Sequence, residues 1–156
     1  MIEMDETAAA PQLTPPEALT ARDAVAAFEA QLRGYPQLTL TVRHWFAPGI
    51  YARELMIPAG TLLTGKIHKA AHLCIMSAGD MEVLTEGGIV RVKAPFTLVS
   101  PPGTKRIALA HADTVWTTIH PSTETDLDKL EAELIAESED DYQAFLLAQQ
   151  APKCLS

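Results

Sequence analysis

The sequence predicts a mainly β fold, an antiparallel β-barrel or sandwich of jelly-roll type with one N-terminal helix and two C-terminal helices. Three observations lead there. Nine short β-rich runs follow one another between residues 38 and 121, each closed by turn residues. Apolar residues at helical spacing occur only on either side of that stretch. The chain has 156 residues, of which 47% are hydrophobic and 21% charged, a balance that suits one globular domain rather than a disordered chain.

Taken in order, residues 1–19 hold an alanine run and Pro11, Pro15 and Pro16, and read as a flexible arm. Residues 20–37 form the first helix. Thr20 and Asp23 make a capping pattern, Val25, Phe28 and Leu32 share a face, and Gly34 with Pro36 stops it. The strands are expected over 38–46, 50–57, 62–68, 72–76, 81–85, 89–92, 97–99, 106–109 and 115–120. Pro48-Gly49, Pro58-Ala59-Gly60, Ala78-Gly79-Asp80, Glu86-Gly87-Gly88, Ala94-Pro95 and Pro101-Pro102-Gly103 separate them, each with a residue suited to a fixed or positive φ. Residues 38–121 are therefore the expected barrel. In the remaining segment, 122–156, Thr125 with Asp128 caps a helix whose Leu127, Leu130, Leu134 and Ile135 form an apolar stripe, and Tyr142, Phe145 and Leu146 mark a second helix.

Charge is distributed unevenly. The net charge of -8 arises from -4 over residues 1–39, +3 over 40–122 and -7 over 123–156. An acidic exterior around a basic middle argues against a nucleic-acid polymer as partner, which would require a continuous positive face. It is compatible with a small anion held inside. No apolar run approaches the ~20 residues that span a bilayer, so no membrane partner is expected. The acidic start lacks the basic and apolar regions of a secretory leader, and a cytoplasmic location, that of a bacterial host, is the expectation. Cys74 in an apolar run and Cys154 near the end form neither a disulfide framework nor a zinc spacing, and both read as free thiols.

The stretch Gly60-x5-Lys66-x-His68-x3-His72-x6-Gly79 has the spacing of the first motif of the cupin superfamily, G-x5-H-x-H-x3-E-x6-G. Pro95-x5-Pro101-x-Gly103-x2-Arg106-x3-Ala110 follows the second, G-x5-P-x-G-x2-H-x3-N, keeping its central turn. The chain thus resembles cupins over residues 60–110. Residues 46–54, 100–106 and 115–130 further resemble small cupin-like proteins of tailed phages and prophages. The resemblance implies a barrel with a three-His-one-Glu metal site at its mouth. Of those four positions this chain keeps a histidine at His68, places His72 where the glutamate stands, and has Lys66 and Arg106 at the other two.

Read physically, Lys66 and His68 lie two apart in a strand and face the same way, and a tight turn over residues 69–71 returns His72 beside them. A cation about 5 Å from a dication repels it by roughly 6 kcal/mol at an effective dielectric of 20. Two such cations oppose a metal and suit an anion, since arginine offers a rigid donor fork, lysine a point charge, and imidazoles can donate. The expected ligand-binding set is Lys66, His68, His72 and Arg106, with Trp45 and Trp116 as stacking surfaces. No cofactor is expected. A divalent metal stays possible, and its ligands would then be His68, His72 and His111. His120 reads as a strand end, and Tyr51 and Arg53 face either the pocket or a partner.

The leading functional expectation is a non-catalytic binding protein for a small anion, with a nucleotide-type molecule as the specific candidate. In a phage setting it would sequester a host immune signal nucleotide. The alternatives are a metal-dependent cupin enzyme of oxygenase or isomerase type, and an interaction module with a vestigial site. Sheet edges and spare aromatic residues lead us to expect a homodimer.

Overall fold

The computed structural model describes residues 21–85 and 87–151. In chain order the elements are α1 (Ala21–Leu32), β1 (Thr41–Ala47), β2 (Ile50–Ile57), β3 (Leu62–Thr64), β4 (Ile67–His68), β5 (His72–Ala78), β6 (Asp80–Thr85), β7 (Gly88–Lys93), β8 (Phe96–Ser100), β9 (Ile107–Ala110), β10 (Thr114–Pro121), α2 (Leu127–Leu134), β11 (Ile135–Ala136) and α3 (Glu139–Gln150). The expected arm and the Thr20 cap lie outside the described residues.

The strands form a five-stranded sheet in the order β1-β2-β10-β5-β8, a four-stranded sheet β3-β9-β6-β7 and a two-stranded ribbon β11-β4. Every pairing is antiparallel. The inner faces of the two large sheets meet in one core: Ile57 and Met76 from the first pack with Met81 and Ala110 from the second. This is the mainly β jelly-roll architecture, built as two facing sheets.

The run 62–68 is broken in two. Thr64 is the last residue paired with β9, and His68 pairs instead with Ile135. Gly65 leaves the ladder with its N–H donated to the Arg106 carbonyl at 2.8 Å. Two further expectations are corrected by the C-terminal segment. Asp126, not Thr125, caps α2 and accepts from the N–H groups of Asp128 and Lys129. Ile135, read as part of a helical stripe, belongs to β11 because its backbone is needed by β4.

The helices cover different surfaces. Val25 and Leu32 of α1 pack on Leu62, Leu84, Ile107 and Leu109, the outward side of the four-stranded sheet. Leu130 and Leu134 of α2 bury Tyr51, and Tyr142 of α3 buries Ile67 and Ala136. The C-terminal segment thus covers one end of the sandwich. Its grip on β4 is direct, since β11 pairs with β4 and the Lys69 N–H donates to the Leu134 carbonyl at 2.8 Å, while the turn between β8 and β9 holds the same strand through the Gly103 N–H, which donates to the His68 carbonyl at 2.8 Å. None of the described helices is long and apolar enough to cross a membrane.

Candidate functional site

Between the sheets lies a cavity of about 300 Å³. Its wall is largely apolar, with Leu55, Ile57, Met81, Val83, Ala108 and Trp116 among its residues. Strand alternation puts Trp116 there, on the side of β10 that also carries Thr118 and His120. At one end the lining turns polar, with Arg53, Lys66, His68, His72, Ser100, Thr104 and Arg106. Lys66, His68, His72, Arg106 and Trp116 thus line one cavity.

Trp45 does not join them. It follows Val42 and His44, the inward-facing residues of β1, at the opposite phase of the alternation, which turns it outward, where it is 55% exposed. His111 is also elsewhere, because its N–H is tied to the Asp80 carbonyl at 2.8 Å and its Nε2 lies 3.4 Å from a Glu82 carboxylate oxygen. It is therefore not placed to complete a site with His68 and His72.

The third imidazole is His120. It comes from the end of β10 and is buried, with ring centres 4.9 Å from His68 and 4.6 Å from His72, while His68 and His72 are 4.0 Å apart. One ligand nitrogen from each of the three lies within 4.8 Å of the others. Sequence reading passed His120 over as a strand end, although a period of two from Trp116 through Thr118 puts it on the inward face. Arg53 follows from Tyr51 in the same way.

Burial is the main force on these rings. It lowers the His68 pKa to about 3, helped by His72, His120, Arg53 and Lys66, and lowers that of His120 to about 4, with help from His72. Burial also lowers His72, opposed by its hydrogen bond to the Ala70 carbonyl and assisted by Arg106. All three are neutral at pH 7. They offer lone pairs rather than positive charge, so the expected anion partners reduce to the cations.

Those cations differ. Lys66 is half exposed and ion-paired with Glu131 of α2, which offsets its charge. Arg106 donates from Nη1 to the Ser100 hydroxyl at 2.9 Å, which fixes its guanidinium at the cavity wall. Arg53 lines both this cavity and a second chamber under α2, where the Tyr51 hydroxyl meets His44 Nδ1 at 2.8 Å. Cys74 also lines the cavity, and burial pushes its thiol up to about 11, so it stays protonated.

The cupin resemblance implies a metal, which the residues at this end of the cavity suit in one arrangement and not in another. The family's four ligand positions do not fit, because Lys66 and Arg106 carry positive charge at two of them. His68, His72 and His120 fit by donor type. His68 Nδ1 is buried with no partner among the described residues, which leaves a polar atom for a ligand to take. Nitrogens sharing one ion through bonds of about 2.0–2.1 Å lie about 3 Å apart. The rings are within 26° of parallel. A turn of the rings to aim their lone pairs inward is what the site requires.

No family model and no curated protein sequence matches this chain. Solved structures do. The salicylate 1,2-dioxygenase of Pseudoaminobacter salicylatoxidans is similar with a TM-score of 0.50 at 11% identity, over 72% of this chain and 34% of that one. A cupin-2 domain-containing protein from Shewanella frigidimarina gives 0.44 at 12% identity, covering 61% of this chain and 92% of that one. A cupin domain from Bordetella pertussis gives 0.45 at 13%, covering 58% and 100%. At such identities the likeness is one of fold, and the two facing antiparallel sheets with their enclosed polar end give this chain the cupin jelly-roll fold.

Proposed function

We propose that the chain binds a small organic anion in the cavity between its sheets and holds it beside a divalent metal carried by His68, His72 and His120. The observation behind this reading is the convergence of three neutral, buried imidazoles from β4, β5 and β10, one of them with an unsatisfied nitrogen. When bound, the metal supplies Lewis-acid activation or, if it is iron or manganese, redox activation.

The protein groups have separate tasks. Arg106, held by Ser100, and Arg53 take the anionic end, while the apolar wall around Trp116 orients the remainder and excludes water. Arg53 acts electrostatically on His68 and Arg106 on His72, and a guanidinium at a distance of about 5 Å would repel a bare dication by roughly 6 kcal/mol at a dielectric of 20. An anion between them and the metal offsets that cost, so metal and ligand reinforce one another. At about 300 Å³ the cavity is at the small end of ligand pockets, which favours a compact, mostly apolar acid. A host-signal nucleotide, as the phage resemblance implies, is a narrower and bulkier case. The similar structure named a salicylate 1,2-dioxygenase makes aromatic carboxylates the first arm of a ligand panel and oxygenation the first reaction to assay.

The test is elemental analysis of protein purified without chelator, followed by thermal-shift titration with carboxylates before and after metal loading. Near one equivalent of iron, manganese, nickel or zinc is expected, with a larger carboxylate shift in the loaded protein. Protein that neither carries nor takes up a metal overturns the reading. Carboxylate binding by such protein would favour the metal-free receptor, which the Arg106–Ser100 bond supports on its own.

A further inference from the structure

The two large sheets are covered unequally. α1 lies on the outward face of the four-stranded sheet. On the outward face of the five-stranded sheet the pairing register aligns Trp45 (β1) with Ala52 (β2), Ala52 with Ile119 (β10), Ile119 with Leu73 (β5), and Leu73 with Val99 (β8). This is one unbroken apolar row across all five strands. Trp45, Leu73 and Val99 are 55%, 42% and 65% exposed. The neighbouring row continues it with Ile50 and Pro121, and Ile50 is 48% exposed. A shallow groove runs along it between Ile50, Leu73, Val99, Ile119 and Pro121. No described residue packs over the row as α1 does on the other side.

We propose that this face is where a second copy of the chain docks, sheet against sheet, in a two-fold dimer. Three features select a second copy. Ile119 lies on the middle strand of the five, so a two-fold axis along β10 lays the row on its own counterpart, the self-complementary arrangement of an isologous contact. The charge also permits it. The nearest charged pair in the adjoining row, Arg43 and Glu54, is 3.5 Å apart and self-neutralising, while the acidic α2 and α3 pack at Tyr51 and Ile67, away from this face. Two chains of net charge -8 can therefore meet here without opposing their acidic surfaces. The size is sufficient as well. Five strands about 4.8 Å apart and three rows about 7 Å apart make a face of roughly 20 by 20 Å. With side-chain relief and its polar margin it approaches the roughly 800 Å² per partner of a standard interface.

This inference is independent of the metal reading and is tested separately. Sedimentation velocity of the full chain at tens of micromolar is expected to give twice the mass of one chain. Leu73→Glu and Val99→Lys should each weaken the dimer at least about 100-fold while leaving the far-UV spectrum and metal content as in wild type. Val99 is on edge strand β8 and largely exposed, so that variant reports even where Leu73→Glu fails to fold. Leu147→Glu, at an exposed leucine of α3, should leave the dimer intact. A monomeric wild type overturns the proposal. So does a dimer that survives Val99→Lys or is lost in Leu147→Glu.

Discussion

His68 and His72 stack with ring centres 4.0 Å apart, and the Nδ1 of His68 is buried without a partner among the described residues. With His120 4.6 Å from His72, the three rings surround a place that the proposed metal would take, with His68 Nδ1 as the buried atom still lacking a partner. Removing one of three ligands should therefore abolish retention of the ion. We expect His120→Ala to fall below about a tenth of the wild-type metal content by elemental analysis, in line with the 10- to 100-fold losses seen even for supporting residues. His111→Ala should retain all of it, since His111 is engaged with Glu82 and the Asp80 carbonyl. Equal loss in both variants would sink the assignment.

The same burial makes the metal-stripped protein acid-sensitive in a definite window. His68 and His120 have folded pKa values of about 3 and about 4, both lowered mainly by burial. In the unfolded chain a histidine takes its proton below about 6.5. Between those limits the unfolded state binds more protons, so stability is fully present above pH 6.5 and declines as pH falls towards 4. Each pH unit costs at most about 1.4 kcal/mol per histidine. Asp80 and Glu124, whose pKa values are lowered by Arg91 and by backbone N–H groups respectively, lose their contribution only as pH falls through the carboxylate range, from about 5 downwards. Thermal melts from pH 7 to 4.5 should show a steady fall in wild type and a flatter profile in a His68→Gln/His120→Gln variant. Parallel profiles would show that the rings are solvated.

A backbone prediction concerns Gly79, at the turn between β5 and β6. Its φ is +117°, and a Cβ there would lie 2.6 Å from Thr114 Cβ and 2.7 Å from Thr114 Cα. Strain and overlap with a main-chain atom act together, so Gly79→Ala should cost about 2–5 kcal/mol. Gly49, with φ +74° and open space where a Cβ would go, separates the two effects. Gly49→Ala should cost only about 1 kcal/mol. Denaturant melts of the two variants check the difference, and equal costs would refute the close approach to Thr114.

Gly79 also shows what could be read from sequence. Turn residues carry their conformational demand locally, so the strand breaks were legible, and the first cupin motif located Gly79 itself. Inward placement of Trp116 and outward placement of Trp45 both follow from alternation, which the reading of both as stacking surfaces did not use. β11 left no signal, because the two residues Ile135 and Ala136 carry no period and continue the apolar stripe of α2. The pairing of Lys66 with Glu131 was equally hidden: it depends on where α2 comes to rest over β4, which no local pattern encodes. His120 was the costly omission. Its partners His68 and His72 lie in a motif, whereas His120 belongs to none and is brought to them by the pairing of β10 with β5.

Arg106 provides the test of the anion end. Its guanidinium donates to Ser100, a residue only 1% exposed, and lines the cavity, and no other described residue accepts from its fork, whose further donors can meet a carboxylate. Charge-assisted bonds contribute about 1.5–3 kcal/mol each, so Arg106→Ala should weaken binding of a small aromatic or aliphatic carboxylate by roughly 10- to 150-fold. Arg106→Lys keeps the charge but loses the planar fork and should fall between the two. Ser100→Ala leaves the guanidinium in place but free to turn, and a loss of only a few-fold is expected. The fold should survive all three changes, because the backbone bond from Gly65 N–H to the Arg106 carbonyl does not depend on the side chain. Isothermal titration with benzoate-like and short-chain acids reads these differences directly. Should Arg106→Ala bind them as tightly as wild type, Arg53 and not Arg106 would be the group that takes the anion.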